Sequence, residues 1–107
     1  MPVFVVETYV VDPEKQREFM SALKDILEYK KANPERFKEM KSKKIYSQMF
    51  GDISGRHIEM NEFDSLADAE KYLTRTSKDK GFMKLYQEAK LLLVPATYSM
   101  TVWTPVM

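Results

Sequence analysis

The 107-residue sequence contains no cysteine. A disulfide scaffold, a cysteine zinc site, a thiol nucleophile and a thiolate-held iron–sulfur cluster are therefore excluded. A single histidine, His57, excludes any site that needs two imidazoles from one chain. Neither sign of charge dominates: Lys+Arg 17 against Asp+Glu 16 leaves +1, so no global field favours nucleic acid or an anionic membrane. No stretch approaches the roughly 20 apolar residues of a spanning helix. Met1 to Val11 has no basic segment and soon meets Glu7, so neither a membrane association nor a secretory leader is expected, and a cytoplasmic location is. What is present, 44% hydrophobic and 31% charged residues without repeats or linkers, is globular composition. One domain over residues 1–107 is the expectation.

Val3 to Val11 (VFVVETYVV) is rich in β-branched and aromatic residues and reads as a strand. Asp12 as N-cap and Pro13 at the first helical position open a helix whose apolar stripe is Phe19, Met20, Leu23, Ile26 and Leu27. Asn33-Pro34 ends it. The charged segment Pro34 to Lys44 reads as a connector packed by Phe37 and Met40, with Lys41, Lys43 and Lys44 solvated. Ile45 to Phe50 and Gly55 to Phe63 read as a hairpin around Gly51–Ser54. Ser65 with Asp68 caps a second helix, broken near Thr76 to Gly81 and resuming through Phe82, Leu85, Tyr86 and Ala89. Pro95 ends it, and Thr97 to Thr104 is a last strand.

The order βαββαβ predicts an α+β, ferredoxin-like domain: a four-stranded antiparallel sheet with the helices on one face. Alternation divides the strand residues into two sets. Phe4, Val6, Val10, Ile58, Met60, Met100 and Val102 are assigned to the helix side. Val3, Val5, Tyr9, Val11, Phe63 and Trp103, with Glu7, His57, Glu59, Asn61, Ser99 and Thr101, are assigned to the bare side. Such a bare face calls for a second copy of the chain as its cover.

Two segments carry a family resemblance. Val6-Glu7-Thr8-Tyr9-Val10-Val11-Asp12-Pro13-Glu14-Lys15 resembles the strand-to-helix opening of NIPSNAP-type domains, and Ile58 through Ala69 resembles their third strand, Asp-Ser cap and second helix. The resemblance implies the dimeric α+β barrel superfamily, in which two ferredoxin-like sheets pack face to face. That superfamily includes antibiotic-biosynthesis-type monooxygenases, haem-degrading monooxygenases, isomerase relatives and members without known activity. Haem-degrading relatives usually carry their iron-ligating His on the second helix, and no His lies between Ser65 and Lys90. No cofactor and no metal are expected.

His57, Glu59 and Asn61 share one strand face, beside Glu7 and Tyr9. A carboxylate next to an imidazole fixes its tautomer and raises its basicity, which is what a general base requires. His57 and Glu59 are thus the candidate catalytic pair, and Glu7, Tyr9, Asn61 and Trp103 the candidate ligand-binding residues. Two readings stand: a small cofactor-independent enzyme, oxygenase-like or isomerase-like, acting on an organic molecule in the barrel cavity, or a non-catalytic dimeric binding or structural module. An RNA-recognition module shares the element order, but its third-strand aromatic motif is absent from Gly55 to Phe63.

Overall fold

A computed structural model describes residues 1–51 and 55–107. Strand β1 (Val3–Val10) leads through a single 3-10 turn into α1 (Gln16–Ala32). The Asp12 carboxylate accepts from the Glu14 N–H at 2.9 Å, and Pro13 occupies the first position of the turn, as the residues predict. Asn33 ends α1, its amide Nδ2 and its N–H both donating to the Tyr29 carbonyl, before Pro34 starts another 3-10 turn. Strands β2 (Ser42–Ser47) and β3 (Arg56–Phe63) pair antiparallel; positions 52–54 of the expected connection lie outside the described residues. The Ser65 hydroxyl accepts from the Asp68 N–H and caps α2 (Leu66–Ser77), and Asp79 caps α3 (Lys80–Lys90) through the Phe82 N–H. Strand β4 (Ser99–Trp103) completes a sheet ordered β2-β3-β1-β4 with antiparallel neighbours. The α+β ferredoxin-like fold is as the sequence predicts, and among the described residues no helix is long and apolar enough to cross a membrane.

The faces of β1 and β3 are the reverse of the expectation. Val3, Val5 and Phe63 pack in one buried cluster with Ile26, Phe37, Tyr72, Phe82 and Ala89 from the connector and the three helices, and Tyr9 and Val11 pack with Phe19 of α1. These strand residues, together with Glu7, Glu59 and Asn61, therefore lie under the helices. Phe4, Val10, Ile58 and Met60 lie on the outer face, where β2 adds Tyr46. Val6 is on that face too and is nonetheless buried, between Met60 and Thr101 on the flanking strands. Strand β4 faces as expected. Met100 stands opposite Glu7 and Val102 opposite Val5, so both face the helices, while Trp103 stands opposite Phe4 on the outer face.

The expectation rested on the cost of burying charged groups beneath helices without partners. Partners exist, and they come from elements whose contribution the strand pattern does not display: Lys43 from β2, Tyr86 from α3 and Tyr98 from the turn before β4. Lys43 belongs to a strand that begins three residues before the expected Ile45, because Ser42, Lys43 and Lys44 already pair with Glu62, Asn61 and Met60. Another tie fixes the helix layer. Asp79, at the α2–α3 corner, accepts from the Tyr29 hydroxyl at 2.6 Å and pairs with Arg36 at 3.3 Å. Gly81 permits this approach, since a Cβ there would stand 2.6 Å from the Tyr29 oxygen.

Candidate functional site

Between the sheet and the helix layer lies a cavity of about 420 Å³, a size suited to a small organic ligand. Its walls are chiefly apolar, with Ile26 from α1, Phe63 from β3, Leu73 from α2 and Phe82 from α3 among them. Into this space the central strands project two carboxylates. Glu7 and Glu59 are direct cross-strand partners, an arrangement that costs stability unless each charge is satisfied separately.

Each is. The Glu59 carboxylate accepts from Lys43 Nζ on one oxygen and from the Tyr9 hydroxyl on the other. Burial works to raise the Glu59 pKa, but the Lys43 ammonium, its hydrogen bond and that of Tyr9 outweigh it and hold the carboxyl below the ordinary carboxylate range. Glu7 is satisfied without a cation: Oε1 accepts from Tyr98 at 2.6 Å and Tyr86 at 3.0 Å, and Oε2 from Asn61 Nδ2 at 3.2 Å. Asn61 joins the two groups, its Oδ1 accepting from Lys43 at 3.1 Å and its Nδ2 also reaching the Val5 carbonyl. The phenols of Tyr9, Tyr86 and Tyr98 are pushed up, by burial first and then by the carboxylates. They remain protonated and donate to those carboxylates, and the Tyr86 and Tyr98 hydroxyls also hydrogen-bond each other at 2.6 Å.

Two further lysines, Lys90 and Lys30, line the cavity from the helices, Lys90 lying over the Tyr98 ring at 4.3 Å. Lys30, near the end of α1, has its Nζ 5.6 Å from the Phe37 ring, 5.9 Å from Tyr72 and 5.7 Å from Phe82. Burial, reinforced by Lys43 and opposed by Glu59 and Glu7, brings its pKa down to about 8.

No family model matches the sequence, and no curated protein is significantly similar to it. Solved structures are similar in fold. A NIPSNAP family protein from Agrobacterium tumefaciens superposes with a TM-score of 0.75 at 12% identity, covering 99% of this chain and 94% of its own. An antibiotic-biosynthesis-monooxygenase-type protein from Caulobacter crescentus gives 0.73 at 15% identity, covering 99% and 91%. SnoaB from Streptomyces nogalater, a cofactor-independent oxygenase solved as a point mutant, gives 0.70 at 13% identity, covering 99% and 94%. The chain has the NIPSNAP and antibiotic-biosynthesis-monooxygenase-type fold. The resemblance drawn from the two sequence segments is to the same two groups.

Within this NIPSNAP-type fold, the residues singled out in the sequence separate. Glu7, Tyr9, Glu59 and Asn61 line the cavity, which lies inside one chain, between sheet and helices, and not between two sheets. His57 stands at its margin: the ring stacks on Tyr9 at 5.6 Å, meets the edge of Phe19 at 6.0 Å, and places Nδ1 3.0 Å from the Gly55 carbonyl. It makes no hydrogen bond to Glu59, whose oxygens are taken by Tyr9 and Lys43. Trp103 is on the opposite face of the sheet. Sequence reading missed Lys30, Lys43 and Tyr98 as site residues, and assigned Tyr86 to a helix stripe without a role. Among the described residues no three His, Asp or Glu side chains gather in a way that could hold a metal ion.

Proposed function

We propose that the chain binds a small, largely apolar organic molecule in the sheet–helix cavity and acts on it without a cofactor, as an oxygenase-like or isomerase-like enzyme that works as a homodimer in the cytoplasm. The observation that carries this reading is Glu7: a carboxylate set in an apolar cavity and held by three neutral donors, with no cation bound to it among the described residues. A carboxylate so placed is suited to take a proton from a carbon next to a carbonyl. The electron pair left behind spreads into the carbonyl; an isomerase returns the proton to another atom, and an oxygenase passes the electrons to dioxygen. In this reading Lys43, Tyr9 and Glu59 fix the charge beside the reacting group, and His57 steadies the Tyr9 ring by stacking. The fold shared with SnoaB supports the oxygenase branch by analogy. The exposed or half-exposed outer face, with Phe4, Tyr46, Ile58, Met60 and Trp103, supports the homodimer.

Acetophenone in deuterium oxide tests the chemistry. The protein should speed exchange of its methyl protons, and Glu7→Gln should slow that exchange roughly 100-fold or more with the circular dichroism unchanged. Full exchange activity in Glu7→Gln would end this assignment. The second reading, a non-catalytic binding module, is favoured by the engagement of all four oxygens of Glu7 and Glu59. It corresponds to ligand binding without exchange.

A further inference from the structure

Lys30 has a role to fill that the carboxylate chemistry does not use. We propose that its amine captures the carbonyl carbon of an aldehyde or ketone with an apolar body, as a Schiff base inside the cavity. The inference rests on the reading that the cavity binds a small organic molecule, and it names the functional group of that molecule.

Geometry comes first. Lys30 lines the cavity, and its nitrogen is surrounded by the rings of Phe37, Tyr72 and Phe82, from the connector, α2 and α3. Among the described residues it makes no hydrogen bond and no ion pair. The carboxylates across the cavity are committed elsewhere, Glu59 to Lys43 and Tyr9 and Glu7 to Tyr86, Tyr98 and Asn61. A second ammonium, Lys43, projects from β2 into the same space. Desolvation in an apolar pocket and a neighbouring cation are the two conditions that turn a lysine into a nucleophile near neutral pH. Both act here, and they account for the low Lys30 pKa.

The chemistry closes without an added reagent. The neutral amine gives its lone pair to the carbonyl carbon, a C–N bond forms, and the carbonyl π bond breaks onto oxygen. One nitrogen proton passes to that oxygen. The resulting hydroxyl leaves as water with a proton taken from solvent, leaving a protonated C=N. Aromatic rings around the nitrogen suit the product, because they stabilise an iminium cation while excluding the water that would hydrolyse it.

Benzaldehyde with sodium cyanoborohydride, which reduces an iminium to a stable secondary amine, is the probe. Near pH 7.5 an amine with a pKa of about 8 is neutral more than about 100-fold as often as an ordinary lysine, so Lys30 should be benzylated at least about tenfold faster than any exposed lysine. Peptide mass mapping should find one benzyl group on Lys30, absent from both Lys30→Met and Lys30→Arg. Benzyl alcohol, followed by shifts of the cavity-lining Met83 and Met100 methyl resonances, measures binding without covalent capture. If benzyl alcohol binds and Lys30 stays unmodified, the amine is not a nucleophile and the proposal fails alone. If neither occurs, the proposal falls together with the binding reading.

Discussion

Glu7 and Glu59 are partners across the two central strands, yet their carboxylates are tied toward opposite edges of the sheet: Glu59 to Lys43 on β2, Glu7 to Tyr98 beside β4. Two like charges side by side would repel, and the fold answers by giving each its own donors. The outer strands of the sheet are thereby fastened to the centre through side chains as well as through the backbone ladder.

Removing one fastening measures its worth. Tyr98→Phe deletes the hydroxyl that donates to Glu7 and contacts Tyr86 at 2.6 Å. Hydrogen bonds to carboxylates are worth about 1.5–3 kcal/mol, so the melting temperature should fall by roughly 5–15 °C in a domain of this size. Tyr86→Phe should cost less, since Tyr98 remains, and the double change should be less than additive. Equal melting points for wild type and Tyr98→Phe would show that this bond contributes nothing to the folded state.

Lys30 makes stability depend on pH in a defined window. Its pKa is about 8 when folded and near the ordinary value of about 10.4 when unfolded. Between these values the unfolded chain holds more protons, so stability rises with pH; below pH 8 the whole penalty, up to about 3 kcal/mol, is present. Lys30→Met keeps the apolar stem and removes the charge. At pH 7 this variant should be more stable than wild type by about 1–3 kcal/mol in urea titrations, and the gap should close by about pH 10. Above that, the raised tyrosine pKa values lower stability with rising pH in both proteins, so the difference isolates Lys30. A gap that stays constant from pH 7 to 10 would mean that Lys30 titrates like an exposed lysine.

The outer sheet face sets the expected assembly. Light scattering at micromolar concentration should give a mass near twice 12.6 kDa. Ile58→Lys, which places a charge opposite Thr8 and Tyr46 on that face, should yield the single-chain mass with the fold retained. A monomeric wild type would remove the homodimer from the functional proposal.

A fourth expectation concerns the backbone. Val94-Pro95-Ala96-Thr97 forms a turn closed by the Thr97 N–H to the Val94 carbonyl, with proline at its second position and Ala96 at φ 65°. That conformation suits glycine and strains an L side chain by about 1–2 kcal/mol. Ala96→Gly relieves the strain and loosens the unfolded chain, for a net gain of about 0.5–1 kcal/mol. A lower melting temperature in Ala96→Gly would place the turn outside this account.

Strand and helix placement was legible where caps and breakers stand at the element ends, at Asp12-Pro13, Asn33-Pro34 and Ser65, whereas the last helix ends at Lys90 and the expected breaker Pro95 lies in a separate turn. The identity of the buried face was not. Alternation along β1 and β3 separates two sets of side chains but does not say which set the helices cover, and Glu7, Glu59 and Asn61 look too polar for a core until Tyr86 and Tyr98 are brought near from 79 and 91 positions away. Lys30 carried a local signal. It follows Leu23 and Ile26 at seven and four residues, so spacing alone puts it on the apolar stripe of α1. Lys43 carried none, because its membership of β2 depends on pairing with Asn61.

The chain has one tryptophan, and Trp103 is 56% exposed on the side of the sheet away from the cavity. Its indole emission is therefore a reporter of what covers the outer face. Burial of that face against a second copy would shift the emission to the blue with rising protein concentration. A molecule entering the cavity would leave it unchanged and perturb the near-ultraviolet bands of the tyrosines around Glu7. Assembly and ligand binding are thus readable in separate optical channels of the unlabelled protein.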